Sequence, residues 1–271
     1  KDLEEIGEIK DVRLFISQKN FFNKENINIK EMVLSRGNFF FNRENYDYII
    51  DLLKRDFSTK KISIKKSKLF FNDKSKTIIF IYTIDNLNFF KNEKENKQEL
   101  KTKGQIFKIP VKLNWEKNLT NKNTISNFKA DKLDIEFVNK GTFFNDLYNY
   151  ENNLKMLTNS FRTNYKIFED SIHLESKKSL IKNTPIKYSG KIDLSPFSFK
   201  LVLNAKAIDI ENFFKNNVLI NGIISSNIFS NENINGQIKV KTNKLIKNKL
   251  FEDANISINF EEGDVNINNS Y

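Results

Sequence analysis

The sequence is dominated by a hydrophobic period of two. In residues 107–116 apolar side chains alternate with Lys, Pro, Asn and Glu, and the same pattern recurs at least seven times along the chain. Such alternation is typical of a β-strand with one apolar and one wet side. We predict that one side of a sheet carries this set: Phe107, Ile109, Val111, Leu113, Trp115, Leu133, Ile135, Phe137, Ile192, Leu194, Phe199, Leu201, Leu203, Ile256 and Ile258.

The strands follow one another through short polar turns, such as residues 72–76 and 261–264. Short turns between successive strands predict a long, twisted antiparallel meander, mainly β. A bulge within residues 78–82 would reset the alternation locally.

Helical spacing occurs in a few places and predicts two or three short amphipathic helices. One is near residues 43–57, with Asn42 as its N-cap, and a second covers residues 145–162. A short helical turn is expected at residues 211–215. The second helix divides the chain into segments 1–144 and 145–271, which we expect to share one continuous sheet and to be a fragment of a longer chain.

The net charge of +11 raises the question of nucleic acid binding. The chain has 40 Lys but 5 Arg, together with 41 Asn and 26 Phe, a bias that indicates an AT-rich genome. Phosphate and base recognition favours Arg, whose planar group binds through two hydrogen bonds. The Lys residues are also mixed with acids, as in residues 91–97. We therefore expect a solvated surface and no nucleic acid partner.

Residue types that support catalysis are scarce. There is no Cys, and the single histidine, His173, is expected on the wet side of a short strand. No glycine-rich phosphate loop or nucleophile motif is present. The acidic run at residues 261–264 is more typical of a hairpin turn than of a metal site. We therefore predict a protein that is not an enzyme and has no catalytic residues, metal or cofactor.

The apolar rows leave two interpretations open. They could form the closed core of a sandwich or barrel, which would make the protein a structural or assembly scaffold with protein partners. They could instead line an open trough for acyl chains, since a large exposed apolar area marks a binding surface.

Several segments resemble the AsmA-like family, which includes TamB and related bridge-like lipid-transfer proteins of bacterial envelopes. Residues 40–43 and the predicted helix run into Ile-Ser-Ile-Lys-Lys-Ser-Lys-Leu-Phe-Phe-Asn-Asp at 62–73, similar to the family's helix and strand pair, with Ser67 in place of the usual glycine. Residues 83–89 and Gly-Gln-Ile-Phe-Lys-Ile-Pro-Val-Lys-Leu at 104–113 resemble two further strands. Residues 251–258 and 263–267 are similar to the closing repeats.

This resemblance covers most of the chain and implies a periplasmic protein of a Gram-negative bacterium. It implies that the sheet is curled into an open, taco-like β-groove and that the apolar set named above lines this groove for phospholipid. It also implies that the protein supports lipid transport between the inner and outer membranes and outer-membrane biogenesis. It also implies that the parent chain is attached to the inner membrane by an anchor that is missing from this segment.

Overall fold

A computed structural model describes residues 7–17, 29–42, 45, 61–72, 76–144, 147–168, 170–181, 184–209, 231–247 and 253–268. These residues form seventeen strands of a single sheet. The strands are β1 (Gly7–Ile16), β2 (Ile29–Phe41), β3 (Lys61–Asn72), β4 (Ile78–Asn92), β5 (Lys97–Ile106), β6 (Ile109–Asn118), β7 (Thr124–Ala130), β8 (Ile135–Phe144), β9 (Leu147–Met156), β10 (Asn159–Ile167), β11 (Ser171–Ser176), β12 (Ser179–Ile181), β13 (Thr184–Leu194), β14 (Phe197–Ala205), β15 (Asn235–Thr242), β16 (Ala254–Glu261) and β17 (Asp264–Asn268).

Strands that are neighbours in the chain are neighbours in the sheet, so the predicted meander is confirmed. The exception is that β11 and β12 both lie between β10 and β13, and each of them pairs with those two strands. The prediction of a purely antiparallel sheet is wrong in two places, because β2 pairs with β3 in parallel and so does β14 with β15. Both steps follow long connections, which can return the chain to the end at which it started.

The predicted helix at residues 145–162 is wrong, since this stretch contains strand β9 and the start of β10. Leu154 and Phe161 have helical spacing in the sequence, but they face each other across a hairpin. Asn152 fills the inward position between Tyr150 and Leu154, and a polar residue there hides the alternation. Asn and Tyr are also poor helix formers, so local propensity did not oppose the strand.

Of the other predicted helices, the structure describes only residues at the start of the one near residues 43–57. Asn42 and Asn45 cap one another: the Asn45 amide donates to Asn42 Oδ1 at 2.8 Å, and the Asn42 amide donates to Asn45 Oδ1 at 3.0 Å. Asn45 is helical, which agrees with Asn42 as an N-cap. The remainder of the helix near residues 43–57, and the helical turn at 211–215, lie outside the described residues. A short 3-10 turn, Asp131–Leu133, joins β7 to β8.

Residues with positive φ and shifts in register interrupt the regular pairing at a few positions. Arg36 and Lys66 have positive φ values of 56° and 48°, and the pairing of β2 with β3 has the same register on either side of them. The register of β4 with β5 shifts by one residue at Asp85. Between Phe80 and Ile78 the register with β3 shifts by one residue, so Ile79 is the additional residue. The predicted bulge within residues 78–82 is therefore confirmed.

A compact apolar cluster lies where β4–β9 meet the turns at one end of these strands. Its buried members are Tyr82, Ile84, Ile109, Val111, Ala130 and Leu133. Leu133 is 4 % exposed, because the 3-10 turn folds it over the sheet. Each such side chain contributes on the order of 1.5–3 kcal/mol when fully buried. This cluster is the best-packed part of the described sheet.

The sheet curls far enough for distant strands to meet. The side-chain amide of Asn231 donates to the carbonyl oxygen of Ile79 at 2.8 Å, and that of Asn233 donates to the carbonyl oxygen of Ile78 at 2.8 Å. These asparagines precede β15, ten strand positions from β4, a distance of about 48 Å along a flat sheet. We call these two hydrogen bonds the clasp, because they join the beginning of β4 to the segment before β15.

Candidate functional site

The cross-strand register places the apolar residues of successive strands on one side of the sheet, which we call the apolar face. Residues directly opposite each other in a β-ladder share a face. Through β4–β10 one row crosses seven strands with a single polar member, Thr102. In order, the row contains Leu87, Thr102, Leu113, Phe128, Phe137, Leu154 and Phe161.

A second row continues the apolar face through the C-terminal strands. It crosses four antiparallel pairs and the parallel pair β14–β15 without changing side. Its members are Leu174, Gly190, Leu201, Ile238, Ile258 and Ile267. The small Gly190 leaves room for its neighbour, since a Cβ atom at this position would lie 2.5 Å from Leu201 Cδ2.

Thirteen of the fifteen residues predicted to line one side of the sheet occupy strand positions on the apolar face. Phe107 does not, because it forms the two-residue β5–β6 turn with Lys108, and both have positive φ. Leu133 lies in the 3-10 turn and packs into the buried cluster. The remainder are Ile109, Val111, Leu113, Trp115, Ile135, Phe137, Ile192, Leu194, Phe199, Leu201, Leu203, Ile256 and Ile258.

The exposure of these side chains separates two parts of the apolar face. Ile109 and Val111 are buried within the cluster, at 9 % and 5 % exposed. Leu113, Phe199 and Leu201 are only partly buried. The cluster is therefore a closed core, whereas the rest of the face keeps part of its apolar surface open to a ligand or to solvent.

A polar stripe that the sequence patterns did not reveal crosses the apolar face. Beginning opposite Trp115, the register aligns Ser126, Asn139, Asn152, Thr163 and Ser176 on neighbouring strands. The stripe is hydrogen-bonded, because Tyr165 donates its hydroxyl to Asn139 Oδ1 at 2.9 Å. The Thr163 and Tyr188 hydroxyl oxygens are 2.5 Å apart. In sequence these residues look like interruptions of the period of two, and the stripe becomes visible only after the strands are paired.

The opposite side of the sheet carries charge. Lys112 pairs with Asp131 at 2.6 Å, and Lys129 pairs with Glu136 at 2.9 Å. Hydrogen bonds from these lysines lower the pKa of Asp131 and of Glu136 below their ordinary values. Exposed pairs of this kind contribute little to stability, but they keep this side hydrated. The sheet is thus amphipathic across its thickness.

The described residues contain no group of three or more His, Asp or Glu side chains able to hold a metal ion. His173 is exposed on β11, on the charged side of the sheet, as predicted. None of the helical segments in the described ranges is long and apolar enough to cross a membrane.

Comparison with known proteins gives no family. No protein-family model matches the chain, and no curated protein does. Among solved structures, the sex pheromone staph-cAM373 precursor aligns with 96 % of this chain and 73 % of its own, at 10 % sequence identity and a TM-score of 0.15. A TM-score this low supports no conclusion about fold or function.

Proposed function

We propose that this chain is an AsmA-like, non-enzymatic periplasmic protein that binds or conducts phospholipid along the apolar face. Its role would be in lipid transport from the inner to the outer membrane, and so in outer-membrane biogenesis. The observation that carries the proposal is the unbroken alignment of apolar residues across strands whose opposite sides are charged.

The partial exposure of the apolar face suits acyl chains. Partly exposed residues such as Leu201 and Leu203 present a surface that gains by covering, at roughly 25 cal/mol for each Å² removed from water. A second protein layer could cover this face, but so could an extended hydrocarbon chain. The polar stripe favours an amphipathic ligand, because its hydroxyl and amide groups could bind the ester or phosphate oxygens of a lipid.

A second candidate is a structural or assembly scaffold with a closed β core. The buried cluster around Tyr82 and Ile84 favours it, since that part of the sheet is already packed and has no space for a ligand. The two candidates differ in what the partly exposed C-terminal portion of the apolar face contacts. The scaffold predicts protein there, and the groove predicts lipid.

Lipid extraction and native mass spectrometry of the purified protein test the proposal. We expect co-purified phospholipid with the wild-type chain. The double variant Leu201→Asn and Leu203→Asn places polar groups on the apolar face and should lower the lipid content severalfold. The matched control, Lys200→Asn with Val202→Asn, changes the opposite side of the same strand and should leave it unchanged. Wild-type protein without lipid, or equal loss in both variants, would contradict the groove.

A further inference from the structure

Exposed apolar side chains lie at one end of several neighbouring strands. Ile125 near the start of β7, Phe144 at the end of β8, Ile167 at the end of β10 and Phe168 just beyond it are 48 %, 67 %, 41 % and 49 % exposed. The start of β7 pairs with the end of β8, and the start of β9 pairs with both the end of β8 and the end of β10. All four residues therefore lie at the same end of the strands. We call these four residues the fringe.

The fringe is held by ordered contacts. The backbone amide of Phe168 donates to the carbonyl oxygen of Ser171 at 2.8 Å, which closes the turn between β10 and β11. The Phe168 ring lies 4.7 Å from the imidazole ring of His173, centroid to centroid. An apolar side chain that is held in contact with water raises the free energy of the protein, and a partner that buries the side chain would lower it.

A cationic row begins beside the fringe, on the charged side of the sheet. The row consists of the three lysines Lys166, Lys191 and Lys200 on β10, β13 and β14, and the uncharged His173 on β11 lies between the first two. All four side chains are exposed. Lys191 is paired with Asp193 at 2.6 Å. Lys166 and Lys200 form no ion pair with any residue in the described ranges. Lys191 and Lys200 are directly opposed like charges, which destabilise a sheet, and an external anion bound to the row would relieve this repulsion.

We infer that the fringe and the cationic row together form a docking surface for an anionic lipid bilayer. Ile and Phe side chains would enter the boundary between headgroups and acyl chains, while the lysines bind lipid phosphates. Protein interfaces are depleted in Lys, and nucleic acid offers no apolar layer for Ile125 or Phe144 to enter. The bilayer accounts for both features at once.

This surface is separate from the lipid-binding proposal. A chain with an empty apolar face would still bind vesicles through the fringe, and a chain loaded with lipid would fail to bind if the fringe faced another partner. Lipid content is therefore measured in the same preparations, so that failure of vesicle binding and failure of the proposed function are seen separately.

Vesicle co-sedimentation tests the inference. The probes are vesicles of phosphatidylcholine alone and of phosphatidylcholine with phosphatidylglycerol at a ratio of about 7:3. We expect wild-type protein to bind the anionic vesicles and to bind them less at high salt. Lys166→Ala with Lys200→Ala should weaken the binding about 30-fold, near fivefold for each lysine removed from an anionic surface. Phe144→Ser with Phe168→Ser should abolish the binding that persists at high salt.

Matched controls are available at the other end of the strands. Ile78→Ser with Ile81→Ser changes apolar residues that are 40 % and 38 % exposed, and Lys68→Ala with Lys132→Ala removes two exposed lysines. Both should bind as the wild type does. Equal losses in controls and test variants, or wild-type binding that is the same with and without phosphatidylglycerol, would overturn the inference. The inference would also be overturned if the protein sedimented equally without vesicles, because self-association would then account for the sedimentation.

Discussion

The hydroxyl oxygen of Tyr82 lies 2.7 Å from that of Thr102, inside the buried cluster. Tyr82 is 9 % exposed and Thr102 is 4 % exposed, so neither hydroxyl group has ready access to water. Burial raises the pKa of the Tyr82 phenol above its ordinary value, which keeps it neutral and able to share a proton with Thr102. The two polar groups satisfy each other where the sheet is most tightly packed.

Tyr82→Phe should destabilise the protein by about 1–3 kcal/mol, because it leaves the Thr102 hydroxyl buried without this partner. Adding Thr102→Val removes the orphaned group, and the double variant should regain most of the loss. Urea unfolding, followed by circular dichroism, measures both changes. Purely additive losses in the two single variants and the double variant would show that the hydrogen bond contributes nothing.

Gly104→Ala should be more damaging than other glycine substitutions. A Cβ atom at this position would lie 1.9 Å from the carbonyl oxygen of Thr83, so backbone atoms of β4 and β5 would have to separate. We expect a loss of about 1–3 kcal/mol or more in the free energy of unfolding. Gly37→Ala is the control, because there the nearest atom is a ring carbon of Phe39 at 3.0 Å, which can move. Equal losses would refute this explanation.

The clasp should restrain the curl of the sheet. Asn231→Ala with Asn233→Ala removes the hydrogen bonds to the carbonyl oxygens of Ile79 and Ile78, at about 1 kcal/mol each. We expect faster amide hydrogen exchange at the beginning of β4. Asn118→Ala is a matched control, since Asn118 Oδ1 accepts only local turn hydrogen bonds among those in the described ranges, from the amides of Thr120 and Asn121. Unchanged exchange at β4 would argue against the clasp.

Acid should weaken the sheet through Glu99, which is 5 % exposed. Burial alone would raise its pKa, but hydrogen bonds from Lys101 at 2.7 Å and Asn92 at 2.9 Å outweigh burial and hold the pKa below its ordinary value of 4.5. The ionised group therefore stabilises the fold above the unfolded-state pKa, and this contribution is lost as the pH falls through the lower folded-state pKa.

Lys101→Met removes the principal partner of Glu99 and should move this acid-induced loss to higher pH. Urea midpoints measured from pH 3 to pH 7 would reveal the shift. Lys103→Met on the same strand is the control, because Lys103 has no ion pair with a described residue and its removal should leave the profile unchanged. Identical profiles for the two variants would show that Lys101 does not set the pKa of Glu99.

The period of two was sufficient to predict strands such as β6, β13, β14 and β16 and which side of each is apolar, but not β9, where a helix was expected. Leu113, Phe137, Leu201 and Ile258 occupy the expected side because water excludes apolar surface regardless of which strands become neighbours. The turn at residues 261–264 was predictable for a similar local reason, since acidic residues and Gly263 favour a hairpin there.

Features that depend on pairing between strands were not predictable. Asn152 and Thr163 interrupt the alternation, and only the register reveals that they belong to one stripe. The parallel pairs depend on where a long connection returns, which no local pattern encodes. Arg36 and Lys66 likewise adopt positive φ, which residues of these types seldom do, so the sequence gives no indication of these backbone conformations.

The parallel step between β14 and β15 provides the length of chain from which the clasp is built. A two-residue hairpin keeps its strands side by side and has no additional residues that could reach another strand. Residues 206–234 connect β14 to β15, because strands that pair in parallel require the chain to return to the other end of the sheet. Asn231 and Asn233, near the end of this connection, donate hydrogen bonds to β4. The departure from antiparallel order therefore accompanies the connection whose last residues supply the clasp.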